Sequence, residues 1–307
     1  MIRPGDALEA ELLREKLRYF ESNIAPLPGL TDQSREVLIA QIIESQRRVR
    51  YLLTVRETNH TNALNPQSGC FDPLKGAVLC NRAGDFEEAC WLVFLSVHFG
   101  RHRRYGWALS ACFYGCLDQG GRWTWPVVSE NPDRVLDWLE ENEATIRLKG
   151  GGFGNHRKYQ SLKARGTRGT GAVLTSYVGW VGPSHAERFS FVSAQAESPT
   201  AQFSMLYESL SPVIEFGRTA RFDYLSMLGK LGLLDIQADS LHLSNSTGPI
   251  AGARLLLSGS KEPAIDAREA ESRLQPLVQL FEMSFDVLED ALCNWQKSPN
   301  FFLPFRG

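Results

Sequence analysis

Between Val213 and Leu225 the chain carries Arg218 and Arg221 beside Gly217, Thr219 and Ala220. That grouping suits the binding of an anion. Glycine takes the positive φ of a tight turn without steric penalty. Amides that open a new helix at Arg218 point outward, with the helix dipole behind them. The two guanidinium groups add full charges at the same mouth. On these residues alone, an ordinary packing corner between two helices is the alternative.

Other basic clusters extend the same chemistry. His102, Arg103 and Arg104 form one, and His156, Arg157 and Lys158 another. Both are expected to touch phosphates, and for the first a solvated charged face is the plain alternative. The second cluster follows Asn155 and a glycine-rich run from Lys149 to Gly154. The run does not match GxxxxGK[ST], so it is read as a strap that brings backbone close to phosphate rather than as a nucleotide loop. His98 and His102 stand four apart, a spacing that puts two imidazoles on one helical face. No third ligand and no HExxH accompany them, so no metal and no cofactor are expected. Trp123 and Trp125, set among Gly and Pro, and Tyr159, beside the basic triplet, are candidates for base stacking. Phe153 is a candidate wedge into the stack, and Asn155 a candidate DNA contact whose amide could read base edges.

These groups must be held by helices, because strand-like alternation is scarce and the fold reads as mainly α. Helices are expected over 6–22, 32–54, 73–82, 85–99, 106–117 and 133–142. Two more are expected at 201–214 and 218–231, and a long one over 266–297, broken near Pro276. Residues 160–200 show little periodicity. The polar stretch 58–69 suggests a division into an N-terminal helical segment, 1–65, and a main domain, 66–307. The formal net charge of −2 means that any nucleic-acid face must be local. Six scattered cysteines with no CxxC read as reduced thiols, which argues against a zinc ribbon. No signal peptide and no membrane-spanning run can be read, so the protein is expected in the cytoplasm.

Six segments together resemble the α-glutamyl/putrescinyl-thymine pyrophosphorylase family, clade 3. They are Phe216 to Leu225, Ser246 to Arg254, Leu288 to Lys297, Phe71 to Lys75, His98 to Arg104 and Gly152 to Tyr159. The resemblance covers roughly residues 70–307. It implies a helix-hairpin-helix fold similar to that of DNA glycosylases, with double-stranded DNA bearing modified bases as partner. It also implies a link to bacteriophages with hypermodified DNA, some relatives being antiphage glycosylases. Four clustered C-terminal cysteines hold an iron–sulfur cluster in some helix-hairpin-helix glycosylases. Only Cys293 lies near this C-terminus, so no such cluster is expected.

Read through the glycosylase fold, the intact hairpin favours excision of a bulky modified base in antiphage defence. The base would be flipped into a pocket and a carboxylate would stabilise the oxocarbenium-like state at C1′. Asp239 lies about twenty residues past the hairpin, where such enzymes keep their catalytic Asp. Asp223 on the hairpin helix and Glu289 on the last helix compete with it. Asp223 either faces DNA or pairs with an arginine. No lysine occupies Gly217 to Ala220, so a Schiff base is not expected and the strand would stay intact. The alternatives are a base-modifying enzyme of the pyrophosphorylase type, acting on modified thymine in DNA, and a non-catalytic DNA-binding protein.

Overall fold

The structure, a computed structural model, describes residues 2–304, the side chain of Asn155 excepted. Fourteen α-helices and no strand are found among the described residues, and one isolated bridge joins His102 and Gly106. No described helix is long and apolar enough to cross a membrane. The chain forms two compact units, one of Met1–Leu52 with Ala238–Arg306 and one built on Leu53–Gln237. Contacts divide the chain at Leu52 and Gln237.

The first unit contains α1 (Ala7–Asn23), most of α2 (Asp32–Glu57), α12 (Gly248–Ser258), α13 (Ala267–Phe281) and α14 (Phe285–Trp295). Leu13, Leu17 and Phe20 recur at helical spacing on α1 and share a core with Leu38, Ile42, Leu274, Leu277 and Trp295. Helices α12 and α14 approach so closely that a Cβ on Gly252 would lie 2.4 Å from the Leu292 carbonyl oxygen. The Trp295 indole donates to the Ser34 carbonyl at 2.9 Å, which satisfies a buried donor.

The second unit holds α3 (Pro73–Arg82), α4 (Phe86–Phe99), α5 (Ala108–Tyr114), α6 (Trp125–Glu130), α7 (Pro132–Gly150), α8 (Thr170–Val181), α9 (His185–Ser193), α10 (Pro199–Ser209) and α11 (Arg218–Lys230). Helix α4 is its centre, since every residue from Glu88 to Phe99 is buried. A helix apolar all round needs neighbours on all sides, and α3, α9, α6 and α11 supply them. Polar groups inside this core are chained together. Glu87 accepts from the His185 ring at 2.7 Å, His185 pairs with the Tyr177 hydroxyl at 2.7 Å, and Tyr177 with that of Tyr224 at 2.8 Å. Burial works against the Glu87 carboxylate. The His185 ring and the His185 and Ala186 amides prevail, and hold its pKa down at about 2.

Candidate functional site

Helices α10 and α11 form the expected corner. Its turn runs over residues 210–217 and is tied down from outside. Glu215 takes the left-handed conformation at φ 54°, and its carboxylate accepts from Arg168 Nε and the Gly169 amide, both at 2.7 Å. The expected positive φ at Gly217 is corrected by this geometry. Gly217 is extended, with φ −71° and ψ −170°, and the positive φ falls two residues earlier. Gly217 is the N-cap of α11 without a capping side chain, and a Cβ built there would meet nothing within 4 Å. Neither backbone conformation nor packing calls for glycine at this point. What the missing side chain does leave is clear space before the first amides of α11.

Arg218 and Thr219 begin α11 half-buried, and the Arg218 guanidinium lies 4.7 Å from the Phe222 ring. Arg221 turns back, donating from Nε to the Phe216 carbonyl at 3.0 Å, and lies 5.6 Å from the Tyr207 ring. Arg221 thus braces the turn from below.

The glycine-rich strap docks on the end of α4. The Gly154 amide donates to the Phe99 carbonyl at 2.7 Å, and a Cβ on Gly154 would fall 2.7 Å from the Gly100 carbonyl carbon. Only two glycines allow backbones to cross this closely. Of the basic triplet beyond it, His156 and Lys158 are exposed, whereas Arg157 is drawn inside. Arg157 donates to the Val97 carbonyl at 2.8 Å and reaches Asp223 at 3.3 Å. Burial pulls the pKa of its guanidinium down and Asp223 pushes it back up. The expected phosphate contact by Arg157 is therefore corrected: its charge is committed to tying strap to α11. The same bond answers the open reading of Asp223, which pairs with an arginine. Tyr159 stands 89% exposed at the strap's end, with the Lys158 ammonium 5.0 Å from its ring centroid. Phe153 instead packs between Phe99 and His98, with centroids 5.7 and 5.8 Å away.

The remaining candidates are distributed. Trp123 and Trp125 are buried, not displayed on a loop. Trp125 opens α6 with its ring 4.3 Å from that of His185, so its faces serve the core. His98 and His102 do not share a helical face, because α4 stops at Phe99. His98 is buried against Thr170, and His102 closes a tight hairpin in which its Nδ1 accepts from the amides of Arg104 and Tyr105. Arg103 and Arg104 project from that hairpin, exposed. In the first unit, Asp239 accepts from His242 Nε2 at 2.8 Å, and His242 has the strained φ of 45°. Glu289 is half-buried on α14, and its neighbour Asp290 pairs with Arg48. Asp223 and Asp239 thus belong to different units.

The second unit also contains a cavity of about 510 Å³ that motif reading missed. Its walls come from Pro66 to Lys75, Arg101, Tyr105 to Cys112, Leu117, Asp118 and Lys149. Three cations line it, namely Lys75, Arg101 and Lys149, and none has a carboxylate partner among the described residues. Of the two acids present, Asp72 spends Oδ1 on capping α3 through the amides of Leu74 and Lys75. Phe71, Tyr105 and Trp107 supply aromatic surface. One wall is strained: Cys116, Leu117 and Asp118 are consecutive left-handed residues, with φ of 50°, 54° and 66°. Each such non-glycine residue costs ~1–2 kcal/mol, and strain of this kind gathers at functional sites. Two segments already singled out, Phe71 to Lys75 and His98 to Arg104, border this cavity. Their chemistry was legible; their convergence was not.

A family model for alpha-glutamyl/putrescinyl thymine pyrophosphorylases, clade 3, matches residues 33–307. The chain belongs to this family. No curated protein and no solved structure matches the chain. The family assignment corrects the expectation of base excision, since its named chemistry is that of pyrophosphate on a substituted thymine, not hydrolysis of an N-glycosidic bond. The hairpin-like segment misled because a phosphate-binding motif says nothing about which bond of a base is then broken.

Proposed function

We infer that this protein hypermodifies thymine in DNA. An amine displaces pyrophosphate from the methyl carbon of an activated thymine. The amine nitrogen attacks that carbon, a C–N bond forms, and the C–O bond to pyrophosphate breaks. Its electron pair leaves on the pyrophosphate oxygen. The nitrogen then gives up a proton, and the base stays attached to its sugar. The match of the family model over residues 33–307 carries this reading. The two groups in the family name, α-glutamyl and putrescinyl, are both delivered by amines, and pyrophosphorylase names the leaving group.

DNA is held, in this reading, at the α10–α11 corner acting as a helix-hairpin-helix. The uncapped N-terminus of α11, the clear space at Gly217 and the cation at Arg218 support that role. His102, Arg103, Arg104, His156 and Lys158 add further phosphate contacts. Asp223, Asp239 and Glu289 are the proposed acids from which the proton acceptor is drawn.

The test is direct. DNA carrying thymine pyrophosphorylated on its methyl carbon is incubated with glutamate or putrescine. Free pyrophosphate and a heavier thymine, still in an alkali-stable strand, are expected. Release of free base would sink the reading. For the grip, Arg218→Ala should weaken DNA binding and reduce the slope of log affinity against log salt by about one. An unchanged slope in a folded variant removes the hairpin from the DNA interface.

A further inference from the structure

The cavity in the second unit has a composition that no DNA-backbone grip requires. Lys75, Arg101 and Lys149 line one half-open cavity from three separate segments: the first turn of α3, the loop after α4 and the last turn of α7. Asp72 and Asp118 also line the cavity, so the formal excess is one positive charge, but none of the three cations is ion-paired among the described residues, and together they favour an anion able to engage several of them at once. Gly150 packs directly on Leu109, so the end of α7 that bears Lys149 lies against α5, the helix that carries Cys112, and both residues line the cavity. A volume of about 510 Å³ accommodates a small ligand with aromatic and charged parts. Tyr105 supplies aromatic surface on the cavity wall, its ring lying against the Gly151 backbone with the Arg104 guanidinium 5.5 Å from its centroid.

We propose that this cavity is the pyrophosphate subsite, with Lys75, Arg101 and Lys149 binding the leaving group and Tyr105 lying beside the thymine ring. The proposal rests on the thymine-modification reading for its choice of polyanion. Three point charges around the phosphoryl oxygens offset the negative charge that builds as the C–O bond lengthens. Free pyrophosphate should then bind as a product, more tightly than inorganic phosphate, and more weakly as salt rises.

Calorimetric titration of inorganic pyrophosphate into the full chain tests this without DNA. Lys75→Gln, Arg101→Gln and Lys149→Gln should each weaken binding by roughly tenfold. Lys163→Gln, at an exposed position outside the cavity, should leave it unchanged. Circular dichroism checks that every variant folds. The proposal is overturned if wild type binds no pyrophosphate at millimolar concentration, or if all three cavity variants bind it as wild type does. The two levels separate in a parallel transfer assay. If amine transfer proceeds in wild type and equally in the three variants, the subsite is elsewhere and the functional reading stands. If the cavity binds pyrophosphate as expected but no amine is transferred to activated thymine, the subsite stands and that reading falls.

Discussion

His98 shows how one side chain ties the site's scaffold to solution conditions. Its Nε2 lies 3.0 Å from Thr170 Oγ1, and that hydroxyl donates to the Ser161 carbonyl at 2.8 Å. With the hydroxyl proton spent there, Nε2 must be the donor, so the neutral ring carries its proton on Nε2. Burial first, and then the charge of Arg157, pull the His98 pKa down from 6.5 to about 3. Between these values the unfolded chain holds a proton that the folded chain lacks. Stability is therefore greatest above pH 6.5 and is lost as pH falls toward 3. From pH 7 to pH 5 this residue should account for a loss of about 2 kcal/mol. Denaturation midpoints at both pH values, for wild type and for His98→Gln, measure it. Glutamine can donate to Thr170 but does not titrate, so the variant should lose distinctly less stability on acidification. His185, also pulled down by burial, slopes the same way in both proteins and cancels in the comparison. Equal losses would show that His98 is not the titrating group.

At the scale of elements, two glycines make opposite predictions. Gly217 sits in an ordinary extended conformation with no atom within 4 Å of a built Cβ. Gly217→Ala should cost less than about 1 kcal/mol of stability, the loss expected from a poorer N-cap. It should nonetheless weaken DNA binding, because the methyl enters the space before the α11 amides. Gly154 faces backbone, not side chain, at 2.7 Å. Gly154→Ala should cost about 1–3 kcal/mol by forcing strap and α4 apart. Thermal melts with DNA-binding titrations separate the two. An alanine at Gly217 that leaves affinity intact removes the phosphate from that position. Legibility in the sequence follows the same physics. Helices with one apolar face or a clear cap, such as α1, α2 and α3, were read within a few residues of their ends. Helix α8 was not, because Thr170 to Val181 is apolar nearly all round and has no period to detect. The last helical stretch does break, but Pro276 is carried inside α13, and the break falls at Glu282, left-handed at φ 53°. Trp123 and Trp125 misled because Gly and Pro beside an aromatic ring signal a turn, and a turn says nothing about burial. The cavity escaped because its walls run from Pro66 to Lys149 in the sequence, and only packing brings them together.

At the scale of the whole molecule, the chain's two ends share one core. Leu13, Leu17 and Phe20 of α1, with Leu38 and Ile42 of α2, are buried in the same cluster as Leu274, Leu277 and Trp295. A division at residue 65 would separate them. A fragment of residues 66–307 would keep α12, α13 and α14 yet uncover the faces that α1 and α2 bury, and it would leave the Trp295 indole without its Ser34 acceptor. Contiguous apolar surface of that kind drives association, and an unmet buried donor costs about 1–3 kcal/mol. The fragment should therefore bind a hydrophobic dye strongly, elute as aggregate in size-exclusion chromatography, and lose the cooperative melt of the α12–α14 region. Adding residues 1–65 back as a separate chain should restore part of that order, since the contacts it supplies are made by side chains and need no covalent link. A fragment that stays monomeric, excludes the dye and melts as sharply as the full chain would show that α12–α14 fold without α1 and α2, and that the shared core is not what holds this unit together.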